Sequence, residues 1–173
     1  LAKVAVKENN MGTANEMLAS AVNIDPSNPD TYIRRAAVRK SMGNHNGAVD
    51  DLVLALSVNA ENPVALSELV AYGNTNYPAA MAGLSNAVTA APQVGLYRYL
   101  RAGIAQSHYH YLAALKDYEY IIEQRIYNYH GIYGSIAECQ FALGRYQEAL
   151  ASVDRALGMV RDNASYFVLR SRI

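Results

Sequence analysis

The sequence predicts an all-α chain, a solenoid of about five antiparallel helix–turn–helix repeats followed by a terminal half-repeat. Three observations predict it. A small residue recurs along the whole chain at Ala14, Ala48, Ala80, Ala114 and Ala149, with spacings of 34, 32, 34 and 35. Around each one the apolar residues keep helical spacing, as in Ala149, Val153 and Ala156, which fall at i, i+4 and i+7 on one helix face. The boundaries carry helix punctuation. Asn28-Pro29 and Asn62-Pro63 pair a capping side chain with proline at the first helical position, where its missing N–H costs nothing.

Taken in order, eleven helices are expected, near 1–8, 11–24, 29–42, 45–58, 62–73, 77–90, 95–107, 110–124, 130–143, 146–160 and 163–173. They pair as hairpins at about 1–26, 29–60, 62–92, 95–126 and 130–161, with a half-repeat at 163–173, in a single domain spanning 1–173. Each second helix opens on its column alanine. Position i+4 from it carries Leu18, Leu52, Leu84, Tyr118 or Val153, and i+7 carries Ala21, Ala55, Ala87, Ile121 or Ala156. The first helices carry their own column: Ala2, Ala36, Val70, Ala102, Ala137 and Ser171. Each member with a partner alanine stands at i−12 from it, except Val70, which is at i−10 from Ala80. Two residues are therefore missing from the third turn, around Asn74-Thr-Asn-Tyr77. One is inserted near Arg125 to Asn128, where the step from Ile121 to Ala137 is 16 against 15 elsewhere. Indels confined to turns, with helices in register, are the mark of a real repeat. Asn76 with Pro78 opens one further helix, and Pro26 and Pro92 close others.

Composition narrows the function classes. The chain has 173 residues, 51% hydrophobic, long enough for a sizeable core. Fifteen basic and fifteen acidic residues leave a formal charge of zero, which removes the electrostatic case for nucleic acid or an anionic membrane. No apolar run approaches the roughly 20 residues of a membrane span. The lone Cys139 excludes an internal disulfide framework and a cysteine-based zinc site. The chain opens on Leu1, not Met, and reads as a piece of a longer protein, so its compartment stays open.

Two sets of residues invite a chemical reading. Arg35, Arg101 and Arg170 stand in a column that is apolar elsewhere, at Leu1, Leu69 and Ile136. Asp51 and Asp117 stand at i+16 from Arg35 and Arg101, whereas Met17, Gly83 and Ser152 answer the apolar members. Arginine thus occurs where aspartate can meet it across the hairpin, the expected pairing for a partly buried guanidinium. Arg170 has no such acid before Ile173, and the pattern expects one about 16 residues on, in a following helix. His108, His110 and His130, with Glu138 and Cys139, lack the i, i+4 spacing of a helical metal site and read as turn and surface residues. No nucleophile elbow, phosphate loop or carboxylate pair appears, so neither catalysis, cofactor nor metal is expected.

The best copy of the repeat is Tyr133, Ala137, Gly144, Tyr146, Ala149, Val153 and Ala156, with Ala142-Leu-Gly-Arg-Tyr-Gln-Glu-Ala-Leu150 as its turn. A second copy offers Tyr32, Ala36, Gly43, Ala48, Leu52 and Ala55, and the first supplies Pro26. This pattern resembles the tetratricopeptide repeat, or TPR, across essentially the whole chain. Departures are the shortened third turn, Ile121 for a small residue, and Ile126 and Arg161 where proline is common. The resemblance implies a right-handed superhelix whose first helices line a concave, protein-binding face. Stepping three or four positions from the buried columns selects the groove positions. These are Ile33, Arg34, Ala37 and Lys40; Val64, Ser67, Glu68 and Ala71; Leu96, Tyr99, Gly103 and Gln106; Gly134, Ser135, Glu138 and Phe141; Val168 and Arg172. Arg34, Lys40, Tyr99, Gln106, Glu138 and Phe141 are the candidate contacts, with Gly103 and Gly134 leaving room for a ligand backbone. Tyr111, Tyr118 and Tyr133 sit in packing columns and are expected in the core. Some TPR proteins clamp acidic C-terminal tails, but Ile33, Ala37 and Glu68 stand where basic or amide groups would be needed. The implied function is a non-catalytic scaffold for a protein or peptide. The alternative is a spacer, or self-association through exposed terminal repeats.

Overall fold

The computed structural model describes residues 10–126 and 131–173. Among them lie ten α-helices and no strand: α1 (Met11–Ile24), α2 (Pro29–Ser41), α3 (His45–Val58), α4 (Pro63–Thr75), α5 (Tyr77–Ala90), α6 (Gly95–Ser107), α7 (Tyr111–Gln124), α8 (Gly131–Ala142), α9 (Tyr146–Met159) and α10 (Ala164–Arg172). The helix expected near 1–8, and His130, lie outside the described residues. The chain divides into two compact units, residues 1–87 and 88–173, with the boundary inside α5.

Asparagine starts six of these helices. The carboxamide oxygens of Asn10, Asn28, Asn44, Asn62, Asn76 and Asn163 accept from backbone N–H groups of the first turn. Each replaces a partner the first turn lacks. Three-residue turns join α2 to α3, α6 to α7, and α8 to α9. In each the middle residue is left-handed: Gly43 at φ +75°, Tyr109 at φ +62° and Gly144 at φ +74°. The two-residue deletion falls where expected. Helix α4 runs on to Thr75, leaving Asn76 alone between α4 and α5.

In the first unit α2 packs on α1 and α3, and α3 on α4; in the second α7 packs on α6 and α8, and α9 on α8 and α10. The column alanines 14, 48, 80, 114 and 149 are buried, as are Leu18, Leu52, Leu84, Tyr118 and Val153 one turn later. Gly83, opposite Leu69 in the repeat pattern, lets α5 close on α3, since a Cβ there would come within 2.3 Å of Val49 Cγ1. The first-helix column holds at Ala36, Ala102 and Ala137 but not at Val70, which is 42% exposed, nor at Ser171, which is exposed too. Helix α4 buries Ala65, Leu69, Tyr72 and Gly73 instead, a face rotated from that of α2 in the hairpin with the one-residue linker.

The two arginine–aspartate pairs form. Arg35 donates from Nε and Nη2 to Asp51, closest at 2.6 Å, and both residues are buried. Arg101 holds Asp117 in the same bidentate way at 2.7 Å. Hydrogen bonding to the aspartate holds each guanidinium above its ordinary pKa, against the opposing effect of burial. Each aspartate also takes a second arginine: Arg39 at 3.0 Å from Asp51 and Arg98 at 3.1 Å from Asp117. Arg170 meets an acid that the column pattern did not anticipate: Asp154 on α9, at 2.6 Å, which precedes it in the chain by the same offset of 16. Helix α9 lies beside α10, so an outward-facing acid on it meets the guanidinium from the other side.

Candidate binding groove

In the second unit α6 also touches α8 directly, so first helices of successive repeats lie side by side. Their exposed edge, with the α6–α7 turn and α10, encloses a groove of about 760 Å³. Gln106 of α6, Glu138 and Phe141 of α8, and Val168 and Arg172 of α10 line it, together with Tyr109 and Tyr111. The polar wall is organised from the core outward. Buried Tyr118 donates its hydroxyl to Gln106 Oε1 at 3.0 Å, and Gln106 Nε2 donates to Glu138 Oε2 at 2.7 Å. Burial raises the Tyr118 pKa well above the usual phenol value, so the hydroxyl remains a donor at neutral pH. On the apolar wall the Phe141 ring lies 5.8 Å from that of Tyr146, and the Arg172 guanidinium sits 5.5 Å from its centroid.

Three of the six candidate contacts, Gln106, Glu138 and Phe141, therefore share one groove. Tyr99 stands elsewhere, half-buried, with its ring 6.1 Å from that of Tyr118. Arg34 is exposed on α2. Lys40 lines a smaller recess of about 250 Å³ in the first unit with Ile33, Ala37, Glu68 and Tyr72. There its ammonium lies 5.1 Å over the Tyr72 ring, whose hydroxyl is hydrogen-bonded to His45 Nδ1.

Several expectations around the groove are corrected. Gly134 leaves no room for a ligand: a Cβ there would lie 2.5 Å from the Tyr166 ring, which already occupies the space. Leu96 is buried rather than groove-facing. Of the three tyrosines expected in the core only Tyr118 is fully buried. Tyr111 and Tyr133 are half-exposed, the first at the groove and the second with its ring 5.7 Å from the Arg155 guanidinium. Tyr109 and Tyr111 are the aromatic groove residues that the side-chain columns missed; Ser107, Ala142, Ala164, Ser165 and Leu169 also line the groove. The available signal was positional, since Tyr109 occupies the turn place of Gly43 and Gly144.

Among the described residues no three His, Cys, Asp or Glu side chains come together as a metal site. Cys139 is wholly buried, and burial pushes its thiol up to about 12, far from a reactive thiolate. His108 is half-buried and His110 exposed, both at the α6–α7 turn. No helix is long and apolar enough to cross a membrane among the described residues.

Helix–turn–helix hairpins stacked in this way match a series of solved structures. The chain matches the crystal structure of MamA with a TM-score of 0.55 at 18% identity, over 96% of this chain and 98% of that one. It matches a thermophilic TPR protein of Thermus thermophilus with a TM-score of 0.56 at 15% identity, over 99% and 94%. The chain has the TPR fold. A TPR protein from Parabacteroides merdae gives a TM-score of 0.56 at 16% identity, over 99% of this chain and 68% of that one. No family model and no curated protein sequence matches. The TPR fold is an all-α solenoid of helix–turn–helix repeats, and the likeness holds at 15% to 18% identity.

Proposed function

We propose that the chain is a non-catalytic interaction scaffold holding a peptide or protein segment on the face formed by its first helices. One observation carries this reading. Gln106, Glu138, Phe141, Val168 and Arg172, spaced along three successive first helices, line a common groove. A rigid wall of this kind binds with little ordering cost on the receptor side. Fold alone does not assign function, so the reading rests on the groove. A photo-crosslinking residue at Phe141, compared with one at exposed Lys116 on α7, tests it in native lysate. Discrete adducts from position 141 alone support the reading; none, or the same adducts from both positions, overturn it.

A second reading is self-association. Phe167 and Val168, consecutive on α10, are large apolar residues 52% and 57% exposed. A molar mass that rises with concentration and returns to the monomer value in Phe167→Ser supports it; a constant mass rejects it.

A further inference from the structure

The groove of the second unit presents one charge of each sign, and neither has a counter-ion within 4.0 Å among the described residues. Glu138 is exposed, but it is not loose. The chain Tyr118–Gln106–Glu138 starts in the core and fixes the carboxylate through a neutral amide, which orients the charge without cancelling it. Arg172 lies over Phe141 in the same groove, with no acid within 4.0 Å among the described residues.

Tyr109 supplies an independent observation. Its backbone sits at φ +62°, where the matching turns use Gly43 and Gly144. A side chain there is strained, and Tyr109 is 78% exposed, so packing does little to offset the strain. Its ring does meet that of Tyr111, at 6.2 Å, and both line the groove. Strain kept on an exposed aromatic at the rim of a groove is the pattern of a binding residue. Tyrosine rings beside an uncancelled carboxylate suit a long basic side chain, whose stem lies on the rings and whose cation meets the acid.

We propose that this groove seats a linear mixed-charge peptide segment, with a lysine or arginine on Glu138 against Tyr109 and Tyr111 and an acidic residue toward Arg172. The proposal rests on the peptide-binding reading above, and its test separates the two. A random linear dodecapeptide library displayed on phage is selected against the full chain. The selected peptides are expected to be enriched in lysine or arginine. Glu138→Gln should weaken a selected synthetic peptide about ten-fold, and replacing its basic residue with norleucine should do the same without a further loss in combination. Arg172→Gln should remove the preference for an acidic residue. Tyr109→Gly should weaken binding while raising the melting temperature, a split that a purely structural tyrosine would not produce. Peptides that depend on the groove, as judged by loss on Val168→Arg, but carry no basic residue or ignore Glu138→Gln overturn this proposal and leave peptide binding intact. Peptides indifferent to Val168→Arg, or no enriched peptide at all, overturn both.

Discussion

The hairpin α2–α3 in the first unit and the hairpin α6–α7 in the second are built on one plan and differ at three places. Both cross-brace their helices with an arginine and an aspartate at an offset of 16, and both turn through a left-handed middle residue. The second arginine comes from one turn later in the first hairpin, Arg39, and from one turn earlier in the other, Arg98. The turn residue is Gly43 in one and Tyr109 in the other. Helix α3 starts on Asn44, whose side chain accepts from Gly47 N–H, while α7 starts on His110 with no side-chain cap bond. The α2–α3 hairpin takes the locally stable choice at both turn positions. The α6–α7 hairpin takes neither, and its turn borders the groove.

The largest effects belong to the feature the hairpins share. Asp51 is 0% exposed and holds two guanidinium groups, so Asp51→Ser strands buried charge and should cost about 3–5 kcal/mol. Arg35→Ile with Asp51→Ser copies the Ile136 and Ser152 solution that the chain already uses in α8 and α9. Replacing a buried pair with apolar contact is often near neutral, so the double variant should recover most of the loss, with the remainder assigned to Arg39. Urea unfolding of the two variants checks it, and a double variant no better than Asp51→Ser would show that the apolar solution does not transfer between hairpins.

A second pair of substitutions exchanges the turns. Tyr109→Gly removes a left-handed side chain and should stabilise the protein by about 1 kcal/mol, while Gly43→Tyr should destabilise it by about as much. A Cβ at Gly43 meets nothing within 4 Å, so the second change isolates backbone strain from crowding. Equal and opposite shifts in the unfolding midpoint confirm that strain alone separates the turns. A loss of stability in Tyr109→Gly would mean instead that the edge-to-face contact of Tyr109 with Tyr111 contributes more than the strain removes.

The caps give an exchange of the same kind and of similar size. Asn44→His should cost about 1 kcal/mol by stranding the Gly47 N–H, and His110→Asn should return a similar amount. Thermal midpoints of the two single variants measure it.

These contrasts also mark how far the sequence could be read. Helix bounds, the alanine columns and the Arg35 and Arg101 pairs were legible because each depends on side-chain type at a fixed repeat position. Arg39 and Arg98 were not, since they reach their aspartates at offsets of 12 and 19 and so share no column. Val70 misled because a column records spacing, while burial on α4 follows the rotation of the helix. Tyr109 escaped because its position constrains a backbone angle, and only the glycines in the matching turns announce that angle. The groove was half legible: α6, α8 and α10 each supply periodic residues to it, but its rim comes from a turn that periodicity does not describe.

The smallest effect tests whether the offset of 16 has any weight of its own. Arg170 and Asp154 are as close as Arg35 and Asp51, 2.6 Å in each case, and their side chains are 52% and 48% exposed against 10% and 0%. If geometry decided the contribution, Arg170→Ala would match the loss at Arg35. Solvent screening and side-chain entropy argue otherwise, and the expected cost is between about 0 and 1 kcal/mol. The expectation for Asp154→Ala is the same, with the double variant no worse than either single one. Added salt should erase what remains of the Arg170 effect and leave the Asp51 effect largely in place, because only the exposed pair is open to counter-ions. A loss at Arg170 above about 2 kcal/mol, or one indifferent to salt, would show that something other than exposure governs these bridges.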